Sequence, residues 1–148
     1  MVMFTMSTQR NTTQPKIEAL SLTGVNKGEM GLSGPISPVF VSKRWGSEHH
    51  FANNKQYCMK LLTIEPGDEK LCSMHFHLDK HETMLVIEGT LKITYIVDKT
   101  ERYFLVGTHE AFTIAPGFPH RLTAYGGKTC RLVEASMPDN DQDSIRIY

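Results

Sequence analysis

From residue 38 onward the chain is written in short β-prone runs, each cut off by a turn signal before it grows long. The runs cover residues 39–43, 57–64, 71–77, 83–87, 91–97, 102–106, 111–114, 120–124, 130–136 and 144–147. Glu65-Pro66-Gly67-Asp68, Glu88-Gly89, Asp98-Lys99, Pro116-Gly117 and Gly126-Gly127 separate several of them. Many short strands at close spacing predict an all-β sandwich or barrel. No long amphipathic helix and no internal repeat interrupts the pattern. In 91–97, Leu91, Ile93, Tyr95 and Val97 share one face, and Ile96 on the other predicts cover on both sides.

Residues 1–36 differ. They are rich in Ser, Thr, Asn, Gln and Gly, with weak periodicity. They read as a partly irregular N-terminal arm, either swapped onto a neighbouring subunit or left as a disordered tail, with a short element near 17–20. Residues 37–148 form the barrel domain in this reading, a length that suits one core.

The chemistry concentrates in MHFHLDKHETMLVIEG, residues 74–89. His75 and His77 stand two apart, so in a strand both point the same way. Residues 78–81 turn the chain and bring Glu82 back beside them. Downstream, Pro116, Gly117 and Pro119 form a rigid turn that delivers His120 at the start of another strand. Two imidazoles, a carboxylate and a third imidazole make a candidate site for one divalent transition metal ion: Fe, Mn, Co, Ni, Cu or Zn. His49, His50 and His109 read as surface residues, and His81 as a neighbour of the site without a role.

The bulk numbers exclude several partners. Sixteen basic and sixteen acidic residues cancel, and no basic stripe marks a nucleic-acid surface. No apolar run approaches the length of a membrane span, and MVMFTM is too short for a signal-peptide core. Three cysteines, Cys58, Cys72 and Cys130, lack close pairing and predict reduced thiols and a cytoplasmic home.

The two histidine-bearing segments resemble the two motifs of the cupin superfamily. That resemblance implies a double-stranded β-helix, or jelly-roll barrel, with His75, His77, Glu82 and His120 as ligands. Gly89 matches the glycine closing the first motif, and Gly107, Pro116 and Gly117 match the second. Within the superfamily, KRWGSEH (43–49), YCMKLLTIEPG (57–67), IAPGFPHRL, RLVEAS and DQDSIRI (141–147) are similar to type II phosphomannose isomerase domains. The chain departs from that pattern at His75, where glutamine is usual, at Lys80, where arginine is usual, and at Met84, where tryptophan is usual.

The resemblance implies a sugar or sugar-phosphate substrate and aldose–ketose isomerisation. Lys60 matches a lysine of that family, and Lys80 and Arg121 flank the ligands. These three are the candidate catalytic cations, suited to an anionic substrate. Tyr57, Tyr95 and Tyr103 are candidates for hydroxyl contacts or simple packing. A homodimer covering exposed sheet edges is the expected assembly. Two other functions fit the same site: an Fe(II)-dependent dioxygenase of a small organic acid, and a non-catalytic metal-bearing protein that binds a small ligand.

Overall fold

The structure is a computed structural model that describes residues 35–140 and 142–148. The arm expected over 1–36 therefore lies almost wholly outside the described residues. Among the described residues eleven strands follow one another: β1 (Val39–Lys43), β2 (Gly46–Asn53), β3 (Cys58–Ile64), β4 (His75–His77), β5 (Glu82–Glu88), β6 (Leu91–Val97), β7 (Thr100–Val106), β8 (Ala111–Ile114), β9 (His120–Ala124), β10 (Cys130–Ser136) and β11 (Ser144–Arg146).

They build two sheets. One runs β1-β2-β3-β10-β5-β8 and the other β11-β4-β9-β6-β7. Every ladder is antiparallel. The core draws on both sheets: Leu62, Ile64, Met84, Val86, Leu132 and Ile114 from the first, with Leu91, Ile93 and Val106 from the second. Burying such side chains contributes roughly 1.5–3 kcal/mol each.

Strict alternation explains why one face of β3 and β10 turns inward. Cys58, Lys60, Leu62 and Ile64 are buried in β3, and Cys130, Leu132, Glu134 and Ser136 in β10. Leu132 pairs with Leu62 and Glu134 with Lys60, so the inner face changes along the strands from apolar to charged. In β5 the change repeats, with Met84 and Val86 following Glu82. The apolar end is the core, and the charged end faces a cavity.

Turn chemistry fixes the connections. Asp98 and Lys99 both have positive φ, 51° and 60°, the twist that a two-residue hairpin between β6 and β7 requires. Gly46 has φ 144°, and a Cβ there would lie 1.9 Å from the Thr63 carbonyl oxygen. Only glycine allows β2 to approach β3 at that point.

Two strand assignments differ from the sequence reading. The run 71–77 contains a strand only at His75–His77. Before it, Asp68 caps a single turn of 3-10 helix at Glu69–Leu71 by accepting from the Lys70 N–H. The sequence reading also missed β2, because GSEHHFAN turns Glu48 and His50 inward and so lacks an apolar stripe. In β6, buried Thr94 beside Ile93 agrees with cover on both sides.

Candidate metal centre

β4 puts His75 and His77 on one face, and β9 lies beside it with His120 directly paired to His75. Ring centroids are 5.2 Å apart for His75–His77, 4.5 Å for His75–His120 and 6.0 Å for His77–His120. One nitrogen from each ring lies within 4.8 Å of the others. The turn before His120 is pinned to the same place, because the Gly117 N–H donates to the His77 carbonyl at 2.6 Å.

Glu82 arrives from the other sheet, as the first residue of β5. Its Oε1 lies 3.4 Å from His77 Nε2, and its Oε2 lies 3.4 Å from His120 Nε2. Residues 78–81 cross between the sheets and bring the carboxylate to the imidazoles.

Protonation can be read from the partners. His120 Nδ1–H donates to the Phe118 carbonyl at 2.9 Å, and His75 Nδ1–H to the Ser73 carbonyl at 3.1 Å. In each neutral ring this leaves Nε2 as the lone-pair nitrogen. Burial, with the His120 ring second, lowers the His75 pKa to about 4, and burial lowers that of His120. Burial alone would raise the Glu82 pKa, but contact with His77 and the Lys80 ammonium outweigh it and hold the pKa well below the usual range.

An ionised carboxylate oxygen thus faces the lone pair of His120 Nε2. Glu82 Oε2 is buried with no hydrogen-bond partner among the described residues. Two acceptors facing each other in a dry site repel, and an orphaned buried carboxylate oxygen is costly. A divalent cation between them removes both penalties. Imidazole nitrogens with one carboxylate oxygen are donors that such ions take. His77 differs in facing two carboxylates, with Asp143 Oδ2 3.3 Å from its Nδ1.

The histidines and Glu82 line a cavity of about 770 Å³. Lys60 and Lys80 line it too, and both are buried. Lys80 Nζ donates to Glu134 Oε1 at 2.8 Å and Asp139 Oδ1 at 3.2 Å, and lies 3.2 Å from Glu82 Oε1. Lys60 Nζ donates to Asp139 Oδ2 at 2.7 Å. Burial disfavours both ammonium charges, yet the carboxylates, led by Glu134, prevail and raise both pKa values.

Arg121 is not brought to this cavity. It follows His120 on β9, so its side chain takes the opposite face and meets Glu101 at 3.4 Å. Adjacency to a ligand in sequence means opposition in a strand. Tyr57, Tyr95 and Tyr103 are also absent from the cavity wall; Tyr95 stacks on Phe118 and Tyr103 lies under Lys92. His109 is exposed, as expected, and His81 is exposed too, whereas His49, expected at the surface, is half-buried against the Phe40 ring.

His50 is not a plain surface residue. It is half-buried on the cavity wall, and its Nε2 lies 2.6 Å from Glu48 Oε2. Glu48, Glu134 and Asp139 share the polar wall with Lys43, Ser73, Asn140, Ser144 and Arg146, and none of the three acidic residues was singled out from the sequence. The missed signal is the alternation itself: Glu134 sits at an inward position of β10, two residues beyond Leu132.

Two antiparallel sheets folded as a double-stranded β-helix, with imidazoles converging on the inner face, define a cupin-type domain. The family of the mannose-6-phosphate isomerase C-terminal domain matches residues 38–147, and the chain belongs to that family. Mannose-1-phosphate guanylyltransferase RfbM of Salmonella typhimurium is 29% identical over 109 residues, covering 72% of this chain but 22% of its own length. The chain thus spans about a fifth of that relative. Among solved structures, the capsular polysaccharide assembling protein CapF of Staphylococcus aureus superposes with a TM-score of 0.63 at 19% identity, over 77% of this chain and 32% of that one. The Fe(II) form of HppE superposes with a TM-score of 0.63 at 12% identity, over 72% of this chain and 60% of that one. At these identities the two structures bear on the fold alone.

Proposed function

We propose that the domain is a metal-dependent aldose–ketose isomerase acting on a sugar or sugar phosphate. The observation that carries this reading is the Glu82 carboxylate set against imidazole lone pairs on the wall of a polar cavity holding Lys60 and Lys80. The matched family supports it, and RfbM, whose name places it in mannose phosphate chemistry, supports the substrate class.

In this reading His75, His77, Glu82 and His120 hold one divalent transition metal ion. Such an ion supplies Lewis acidity to a carbonyl and the adjacent hydroxyl oxygen. Lys60 and Lys80 place positive charge beside the oxygens that become negative when a proton leaves carbon two. Glu134 and Asp139 hold those ammonium groups in place. His50, half-buried on the cavity wall with its Nε2 paired to Glu48, is the proposed base. It takes the proton from carbon two and returns it to carbon one, while the hydroxyl proton moves from the second oxygen to the first. Arg121, facing Glu101, has no part in this step.

A homodimer in the cytoplasm is the proposed setting. β1 is a sheet edge with Val39 and Phe40 exposed, a surface that a second copy would cover. All three cysteines are buried free thiols, which suits a reducing compartment.

The test is elemental analysis of protein purified without a metal column, followed by an isomerase screen in deuterated water. The panel contains mannose 6-phosphate and free aldoses. Interconversion with deuterium at carbon one or two is the expected result. Oxygen consumption with iron bound would replace it with the dioxygenase reading. Ligand affinity without turnover would replace it with the binding-protein reading.

A further inference from the structure

The crossing from β4 to β5, residues 78–81, carries no metal-ligand candidate itself but decides where the candidates meet. His75 and His77 precede it in one sheet, and Glu82 follows it in the other. The Lys80 side chain is held by Glu134 and Asp139 and the His81 carbonyl by the Met137 N–H, while the backbone N–H groups of residues 78–80 turn to one distant residue, Asp143. Asp143 is 7% exposed and lies outside the cavity wall, so it faces the ligands from behind. Its Oδ1 accepts from the Asp79 N–H at 2.8 Å, and its Oδ2 from the Lys80 N–H at 3.3 Å. Its backbone carbonyl accepts from the Leu78 N–H at 3.0 Å. The same Oδ2 lies 3.3 Å from His77 Nδ1, a charge contact outside hydrogen-bond geometry that leaves this buried nitrogen without a bonded partner among the described residues. Four consecutive residues, 77 to 80, are thus addressed by one.

Asp143 stands immediately before β11, which is only three residues long and joins only β4. Two further backbone bonds dock the terminus: the Met74 N–H to the Tyr148 carbonyl at 2.9 Å, and the Ile147 N–H to the Met74 carbonyl at 2.8 Å. So short an edge strand has little to hold it, and such segments open at low free energy.

We infer that Asp143 is the positioning residue of the metal centre, and that it couples docking of the C-terminal strand to metal binding. A carboxylate behind a ligating imidazole fixes its orientation and raises its basicity. Here the same carboxylate also sets the reach of the crossing, and hence the separation of His77 from Glu82. Coupling of this kind is reciprocal: if the docked strand favours the ion, the ion favours the docked strand by the same factor. The inference rests on the metal reading and not on the reaction.

The experiment uses the full chain and Co(II), whose visible spectrum reports ligand geometry. Affinity is measured by titration, apo-protein melting by circular dichroism, and exchange at the Leu78 and Ile147 amides by hydrogen–deuterium mass spectrometry. In the wild type, Co(II) should slow exchange at both amides. Asp143→Asn retains an acceptor for the Asp79 N–H but loses the charge behind His77. It should weaken Co(II) binding about 10- to 100-fold, shift the spectrum and leave apo melting nearly unchanged. Asp143→Ala should lose the protection at Ile147 as well.

Wild-type affinity and spectrum in Asp143→Asn would overturn the proposal. So would unchanged Ile147 exchange on adding Co(II) to the wild type. A variant that fails to fold without metal would make Asp143 a structural residue and also overturn it. Failure of the wild type to bind Co(II) at all is a different result, which removes the metal reading itself.

Discussion

Lys80 Nζ lies 2.8 Å from Glu134 Oε1, across a buried gap that joins residues 54 apart in the chain. Glu82 Oε1 stands 3.2 Å from the same ammonium. Lys80→Met therefore leaves two buried carboxylates short of their cation. Removing one partner from a buried ionic cluster costs about 3–5 kcal/mol. Urea unfolding should show that loss, and a change below about 1 kcal/mol would show that the cluster relaxes into water.

The histidine site should contribute stability only when loaded. An ion at 100 times its dissociation constant stabilises a native protein by about 2.7 kcal/mol. The wild type should melt at a higher temperature with Zn(II) than with chelator. His77→Ala combined with His120→Ala should contain no metal by elemental analysis and show no shift. Full metal content in that double variant would sink the ligand assignment.

Lys60→Met is expected to separate chemistry from assembly. Losing one positioned charge near a developing oxyanion costs about 3 kcal/mol in the transition state, or roughly a hundredfold in rate. Turnover should fall by that factor while metal content stays at the wild-type level. Metal loss in this variant would instead assign Lys60 to the integrity of the site.

Acid stability should carry the mark of Asp139. Burial would raise its pKa, but the hydrogen bond and charge of Lys60 lower it from the usual 3.8 to about 2. A depressed carboxylate contributes stability that is fully present above its ordinary pKa and is lost as pH falls through the folded value. The urea midpoint of the wild type should therefore drop between about pH 4 and pH 2 more steeply than that of Asp139→Asn. Parallel curves would show that Asp139 keeps an ordinary pKa.

Gly46→Ala tests the β2–β3 approach. The new methyl would meet the Thr63 carbonyl oxygen at 1.9 Å, on a backbone with φ 144°. The strained backbone and the clash together should destabilise by about 3 kcal/mol or more. Gly67→Ala, where an added Cβ meets nothing within 4 Å, is the control and should be nearly neutral in chemical unfolding.

Strand alternation and the proline–glycine turn made His75, His77 and His120 legible, because both are local rules. Glu82 was legible because four residues suffice to turn the chain. Glu48 and Glu134 were not. A glutamate within a strand reads as solvent-facing unless its inward face is known; Glu134 meets Lys80, 54 residues away, and Glu48 meets His50 within a strand that itself reads as polar. β2 was missed for the same reason: two inward polar residues erase the apolar stripe that identifies a half-buried strand. Arg121 misled because nearness in sequence to His120 is distance in space across a pleated sheet.

Core and cavity lie on the same face of β10, with Leu132 and Glu134 one pleat apart. A slip of one residue in that strand would expose the leucine and turn the glutamate away from Lys80 together. A misregistered molecule is therefore also one without its polar wall. Chains that retain a working cavity have, by that fact, passed an inspection of their own register.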